Sequence, residues 1–373
     1  MKTATKRAVY RLFDAIAPTA RVWLADEVRR RLIADPLTIV DVGAVFGPDK
    51  RWSQLGERTC RFITFEPDKR SHADPDENGP FAMLALPTAI GREPGTRTLH
   101  LTKGEFASSL YPPNKAVLGA FATWPWHESA GTAEVTVDTL DNALAAFPDW
   151  RPDFIKTDIE GADLDALVGG ELALASSLGM QVEVSFVERN EGAPLFAEID
   201  QHLRARGFML FQLIREHWLR ANMVRGVAAR PQLIWADAIY FREAANFGER
   251  LAAADDREGL LVKFIALLLV HGHFDTAADL VHDAEVSGHC SLELAAALDR
   301  SVLKSAQSPG FVLRGWVAVV LAGLLRLAAL PFGTAAREQA REVYARKAAP
   351  LFHHHYREAM RAGLDRSCIP DLP

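Results

Sequence analysis

Three short stretches carry residue types whose spacing suits chemistry. The most specific is Asp153-Phe154-Ile155-Lys156-Thr157-Asp158-Ile159-Glu160-Gly161-Ala162-Asp163. Asp158 and Glu160 fall at the C-terminal end of a short β-rich run, and Gly161 opens a helical pattern. In doubly wound sheets, polar residues at such strand ends face the ligand crevice. Asp158 alone would serve as a helix cap. Asp158, Glu160 and Asp163 together exceed what one cap needs. The second stretch, Phe62-Ile63-Thr64-Phe65-Glu66-Pro67, ends a strand on an acid that can accept both hydroxyls of a ribose. It follows, by about 20 residues, the third stretch, Ile39-Val40-Asp41-Val42-Gly43-Ala44-Val45-Phe46-Gly47. There a buried strand ends in a small-residue turn leading into a helix, whose free N–H groups suit a carboxylate or phosphate. Its glycines are four apart, so it is not G-x-G-x-x-G. Together the turn and the acid favour a nucleoside ligand.

These residues need strands to hold them. Apolar runs predict strands at Leu37–Val42, Arg61–Phe65, Phe81–Pro87, Phe154–Thr157 and Gln181–Phe186, and alternation predicts one at Thr96–Leu101. Helical patterns span Ala162–Leu174 and Leu195–Arg206, the latter closed by Gly207. Phe208–Ile214 and Leu233–Phe241 read as a final antiparallel pair. Strands alternating with helices imply a parallel sheet with crossover helices. Residues 5–33 read as helix, divided at Pro18. Beyond about residue 244 the pattern is all helical: Leu260–His271, Thr276–Glu285, Ser291–Ser305, Phe311–Leu330 and Ala335–Lys347. Gly272 and Asp275 between the first two suggest an αα-hairpin. The expected domains are a basic helical segment at 1–36, an α/β domain at 37–243 and a separate helical domain at 244–373.

With 373 residues, 49% hydrophobic and 24% charged, the chain is an ordinary globular protein and not a disordered one. Its net charge of -6 gives no reason to expect nucleic acid as a partner. The charge is uneven: residues 1–34 hold eight Lys/Arg against three Asp/Glu, while residues 35–243 hold 20 against 30. Residues 300–373 are again basic, 11 against five. Basic helical ends suit peripheral contact with a membrane surface. Phe311–Leu330 is interrupted by Arg314 and Arg326 and reads as a buried helix rather than a span. Cys60, Cys290 and Cys368 are scattered, which favours a reducing compartment. Residues 1–18 lack an apolar run of signal-peptide length. The expected location is cytoplasmic, with peripheral contact at the inner membrane face.

The glycine turn, the Phe65-Glu66-Pro67 strand end and above all the Phe154–Ala162 run resemble the FkbM-like methyltransferases, of the class I S-adenosylmethionine-dependent enzymes. The resemblance continues through Ala89-Ile90-Gly91, Ala107–Asn114, Val182–Phe186, Pro194–Asp200 and Gly207-Phe208, and covers about residues 37–243. It implies a Rossmann-like, seven-stranded, mostly parallel sheet with S-adenosylmethionine over the strand ends. It places Asp41, Gly43, Ala44, Gly47, Glu66, Ala89, Ile90 and Asp158 at the cofactor, with Gly43 and Gly47 flanking its methionine part and Glu66 on its ribose. Val45-Phe46 stands where the family often has Asn and Ile.

A sulfonium cofactor explains surplus acids, since carboxylates in a partly desolvated cleft attract a cation. An alcohol nucleophile benefits from a base, and Asp158, Glu160, Glu183 and Glu188 are candidates at or near strand ends. A carboxylate pair could also hold a divalent metal, but no H-x-x-x-H or Cys cluster supports one. His353-His354-His355 would point in different directions on a helix, and His271 and His273 sit where a charged histidine meets a helix dipole. Trp124-Pro125-Trp126-His127 lies in a long insertion on the ligand face, and aromatic rings suit the apolar faces of sugars. The expected activity is methylation of a hydroxyl on a sugar, glycan or secondary metabolite. A non-catalytic scaffold using its helices, and an NAD-dependent oxidoreductase, are the alternatives. The latter lacks its glycine motif.

Overall fold

The computed structural model describes residues 22–45, 47–68, 70, 79–221 and 231–308. The helical pattern before residue 22, the stretches Phe311–Leu330 and Ala335–Lys347, the three consecutive histidines and Cys368 lie outside the described residues.

Helix α1 (Asp26–Ala34) begins on two acids and carries Arg31 in its last turn, in keeping with its dipole. Glu27 and Arg31 pair one turn apart at 2.8 Å. Strand β1 (Leu37–Val42) is buried at every residue, as strands covered on both faces are. β2 (Cys60–Phe65) runs parallel to it, and β3 (Ala82–Leu86) parallel to β2. The turn after β1 leads to a 3-10 helix, Lys50–Leu55, rather than to an α-helix, and the Asp49 side chain caps it.

The insertion that follows builds a second sheet from β4 (Ala89–Ile90), β5 (Gly95–Thr102) and β6 (Ser129–Asp138), in the order β4-β6-β5. Helices α2 (Lys115–Leu118) and α3 (Trp124–His127) lie between β5 and β6. β6 escapes sequence reading because its first four residues are all exposed, which leaves little of the alternation that marks a strand.

α4 (Leu140–Ala145) leads into β7 (Phe154–Thr157), which pairs parallel with β1. α5 (Asp163–Val168) and α6 (Glu171–Ser176) replace the single helix that the pattern suggests. The break falls at Gly170, whose φ -125 and ψ 39 leave the helical region, and Gly169 before it must be small, since a Cβ there would lie 2.3 Å from the Gly91 carbonyl oxygen. Asp141 then caps the new start, accepting from the Leu172 and Ala173 amides at 2.9 Å. β8 (Gly179–Ser185), α7 (Phe196–Arg204), β9 (Phe208–Trp218) and β10 (Gln232–Arg242) complete a seven-stranded sheet of order β3-β2-β1-β7-β8-β10-β9. β10 is antiparallel to both neighbours. This is the Rossmann-like, mostly parallel sheet that the resemblance implies. The strand order reverses between β1 and β7, the switch point where such sheets bind ligands.

Among the described residues, four helices follow: α8 (Ala244–Ala253), α9 (Arg257–His271), α10 (Phe274–Val286) and α11 (Leu292–Ala306). The packing does not break at residue 244, where the sequence suggests a boundary. α9 is buried almost all round from Leu261 to Val270, as a helix apolar on every side must be. It shares one apolar cluster with Leu37, Phe62, Phe154 and Phe241 of the sheet. Residues Val22–Met223 and Pro231–Leu303 accordingly form one compact unit. α4–α7 pack on the other face, around Val40, Ile63, Ile155 and Val182. Gly272, in the left-handed conformation, closes α9, and α10 follows as the expected hairpin partner. His271 stacks on Phe154 at 5.1 Å, and its Nδ1 donates to the Leu267 carbonyl. Burial lowers its pKa to about 3. It is a neutral core residue, not the charged helix-end group its position suggests.

Candidate active site

The C-terminal ends of β1, β2 and β7 converge on one cleft, at the place where such sheets hold ligands. Gly43 and Val45 enter it from β1, Glu66 to Asp68 from β2, and Asp158, Ile159 and Ala162 from β7. The second sheet contributes Ala89, Ile90 and Leu99, and the loop after β5 contributes Glu105, Phe106 and Ser108 to Leu110. Among the described residues, every charged side chain in this lining is an acid: Glu66, Asp68, Glu105 and Asp158.

The turns that hold these residues are tied together. The Asp158 amide donates to the Val42 carbonyl at 3.0 Å, and the Gly43 amide to the Phe65 carbonyl at 2.9 Å. Gly43 has φ +88, and a Cβ there would lie 2.1 Å from the Asp158 carbonyl oxygen. Only glycine permits both the turn and the approach. Asp163 shapes the second turn by accepting from the Gly161 amide at 3.1 Å. Burial and the charge of Asp158 raise its carboxyl to about 6. Glu66 is buried, and its Oε1 accepts from the Asp68 amide at 2.7 Å. Burial works against the Asp68 carboxylate, but hydrogen bonds from Arg70 outweigh it and hold the group below its ordinary range.

Of the residues assigned to a cofactor by sequence, Gly43, Glu66, Ala89, Ile90 and Asp158 line the cleft, whereas Asp41, Ala44 and Gly47 do not. Asp41 is buried against Lys156, whose Nζ lies 3.1 Å from Asp41 Oδ1 and 3.4 Å from Asp158 Oδ2. Burial raises the Asp41 carboxyl, and Lys156 opposes that rise.

Of the four candidate bases, only Asp158 is in the lining. Glu160 and Glu183 are buried on a single cation. Arg189 Nη1 is 2.9 Å from Glu160 Oε2, and Nη2 is 2.5 Å from Glu183 Oε2. Arg189 Nε donates to Ser185 Oγ at 2.9 Å. Burial raises Glu160 to about 7 and Glu183 well above its ordinary value, against the pull of Arg189. Glu160 also sits at φ 53, a strained conformation for a residue with a side chain. Glu188 is exposed, and its Oε1 accepts from the Gly192 amide at 2.7 Å, so it caps a loop. One oxygen each of Asp158, Glu160 and Glu183 lies within 4.8 Å of the others. A divalent ion suits such spacing, but Arg189 already serves as counter-ion to two of the three, so no metal is assigned.

Sequence reading misses Arg189, since one arginine beyond a strand end has no distinguishing signal. Lys156 has one: it is a cation inside a four-residue buried strand. Near the cleft, Phe106 and Trp126 meet edge to face at 6.0 Å and remain 42% and 44% exposed. The Gly104 amide donates to the Trp126 carbonyl at 2.8 Å, which holds the two segments together. His127 is buried against Trp218, and burial with the Arg189 charge lowers it to about 4.

Residues 41–210 match the family model described as the Methyltransferase FkbM domain. The chain carries an FkbM-like methyltransferase domain. Over 190 residues the chain is 28% identical to 2-O-methyltransferase NoeI of Sinorhizobium fredii (strain NBRC 101917 / NGR234), a match covering 47% of this chain and 76% of that protein. A solved structure, magnesium protoporphyrin IX methyltransferase (ChlM) from Synechocystis PCC 6803 with bound SAM, is similar at 13% identity and a TM-score of 0.24. That match covers 58% of this chain and 77% of the other. So distant a superposition adds nothing to the sheet order.

FkbM-like domains take their methyl group from S-adenosylmethionine, and the lining fits that cofactor. Its sulfonium and ammonium groups are cations, and the charged lining residues among those described are acids. Glu66 suits a ribose diol, and Ala89, Ile90, Leu99 and Phe106 offer apolar surface to a purine. Among the described residues, no helix is long and apolar enough to cross a membrane.

Proposed function

We propose that the FkbM-like domain O-methylates a hydroxyl of a sugar, glycan or related metabolite. The observation that carries this reading is the all-acidic lining, in which Asp158 shares one cleft with Glu66. When bound, S-adenosylmethionine supplies an electrophilic methyl group on a sulfonium. Glu66 and the Gly43 turn hold and orient that cofactor. Asp158 is the carboxylate placed to orient the acceptor hydroxyl and take its proton. The lining acids attract a sulfonium more than a neutral thioether, which favours exchange after each turnover.

Two features support a sugar-like acceptor. The exposed Phe106–Trp126 pair offers aromatic surface to the apolar face of a pyranose. The relative from Sinorhizobium fredii is a 2-O-methyltransferase. The test is transfer of labelled methyl from S-adenosylmethionine to a panel of monosaccharides, oligosaccharides and hydroxylated metabolites. Base-stable ether label that falls sharply in Asp158→Asn supports the proposal. Base-labile ester label, or cofactor binding with no labelled product across the panel, overturns it.

A further inference from the structure

At the edge of the sheet opposite the cofactor cleft, β8 begins at Gly179 beside the end of β10. A second depression lies there, and its charged lining residues are Arg206, Arg242, Arg250 and Glu171. Three cations thus face one carboxylate. Glu171 is taken by Arg206, whose Nε lies 2.8 Å from Glu171 Oε2. Neither Arg242 nor Arg250 has a carboxylate partner among the described residues.

Their hydrogen bonds go instead to neutral acceptors. Arg242 is only 5% exposed and donates to main-chain carbonyls of Leu174, Ala175, Ser177 and Arg206 and to Asn246 Oδ1. Arg250 donates to the carbonyls of Ala175 and Ser176. Most of these carbonyls belong to the last turn of α6 or follow it. A helix end brings only a fraction of a unit charge, so it satisfies N–H groups without neutralising two guanidinium ions. The shortfall appears in both side chains. Burial and the charge of Arg250 push Arg242 down to about 9, and burial lowers Arg250 as well. In addition, Arg250 Nε is buried without a hydrogen-bond partner. A buried N–H left unmet destabilises the fold unless a ligand supplies its acceptor.

We propose that this depression binds a phosphate-type oxyanion, with Arg250 and Arg206 donating to it and Arg242 as the fixed charge beside it. Guanidinium groups suit phosphate because their planar forks give paired, charge-assisted hydrogen bonds. Glu171 acts as an internal competitor, holding Arg206 while the depression is empty. The proposal is independent of the methyl-transfer reading, since no lining residue is shared between the two sites.

The experiment titrates inorganic phosphate into the full chain at constant ionic strength, with chloride as control, and follows binding by calorimetry and thermal unfolding. Saturable binding is expected, weaker by about tenfold in Arg250→Gln through loss of a charge-assisted hydrogen bond. Glu171→Gln leaves the arginines in place and frees Arg206, so it should bind several-fold more tightly. Flotation with phosphatidylcholine vesicles, with and without phosphatidic acid, separates the sources of the anion. Arg250-dependent retention on phosphatidic acid assigns a lipid headgroup. Phosphate binding without such retention assigns a soluble phosphate ester. No saturable effect beyond chloride, or equal binding by the wild type, Arg250→Gln and Glu171→Gln, overturns the proposal.

Discussion

Asp41 and Lys156 stand opposite each other in register on adjacent parallel strands, with Asp41 Oδ1 3.1 Å from Lys156 Nζ. The same ammonium reaches Asp158 in the cleft. One cation therefore serves the core and the site together, so a change at Lys156 should be felt in both.

Lys156→Met should cost about 3–5 kcal/mol at neutral pH, because it leaves Asp41 buried without its counter-ion. The folded-state pKa of Asp41 is already raised by burial. Stability from its protonation is fully present below its ordinary pKa and lost as pH rises through the folded value. The deficit should be smaller at pH 5 than at pH 8. Urea unfolding at both values measures it, and an equal deficit would show that Asp41 does not carry the effect.

The Arg189 cluster predicts a second pH dependence. Glu160 is raised from 4.5 to about 7, so its bound proton stabilises the fold below pH 4.5 and ceases to as pH passes 7. Glu160→Gln is neutral throughout. Between pH 5 and 8 its stability should fall less steeply than that of the wild type. Parallel curves of denaturation midpoint against pH would contradict this.

Glu66→Gln removes the carboxylate expected on the cofactor ribose. Loss of charge-assisted hydrogen bonds at about 1.5–3 kcal/mol should weaken S-adenosylmethionine binding by roughly 10–100-fold. Isothermal titration reads this directly, and unchanged affinity would remove Glu66 from the cofactor site.

Gly43→Ala places a methyl group against the Asp158 carbonyl in a backbone conformation that disfavours side chains. A destabilisation of roughly 2 kcal/mol or more is expected, with loss of cofactor binding. Thermal unfolding and titration test the two effects separately.

Trp126→Ala should leave cofactor affinity within about twofold of wild type and raise the acceptor KM by roughly 2–10-fold, the worth of an aromatic contact. A rise in cofactor Kd with unchanged acceptor KM would move Trp126 to the cofactor side.

The central strands are legible in the sequence because they are short stretches rich in apolar and β-branched residues, such as Leu37–Val42 and Phe154–Thr157, set between turn residues. Glu66 and Asp158 are legible because they end such runs. β6 is not, since its exposed start lacks the alternating pattern. Nor is the need for glycine at 169, which is set by the approach of the distant Gly91 carbonyl. The fate of the four acids also depends on distance in space. Strand ends nominate Asp158, Glu160, Glu183 and Glu188 equally, and a single arginine removes Glu160 and Glu183 from the lining. The helices after residue 244 look self-contained because nothing in their pattern says which surface covers them. α9 is apolar almost all round, and the sheet is one of its partners.

The insertion of β10 between β8 and β9 bears on how the protein can be cut. A fragment ending at residue 210, where the family match ends, would lack β10. It would leave β8, buried along its whole length, as an open edge with unpaired main-chain groups. Such edges recruit other chains. Expression fragments trimmed to the aligned region should therefore aggregate, while those that keep β10 and α8–α11 should stay in solution. The stretch that aligns and the stretch that folds have different lengths.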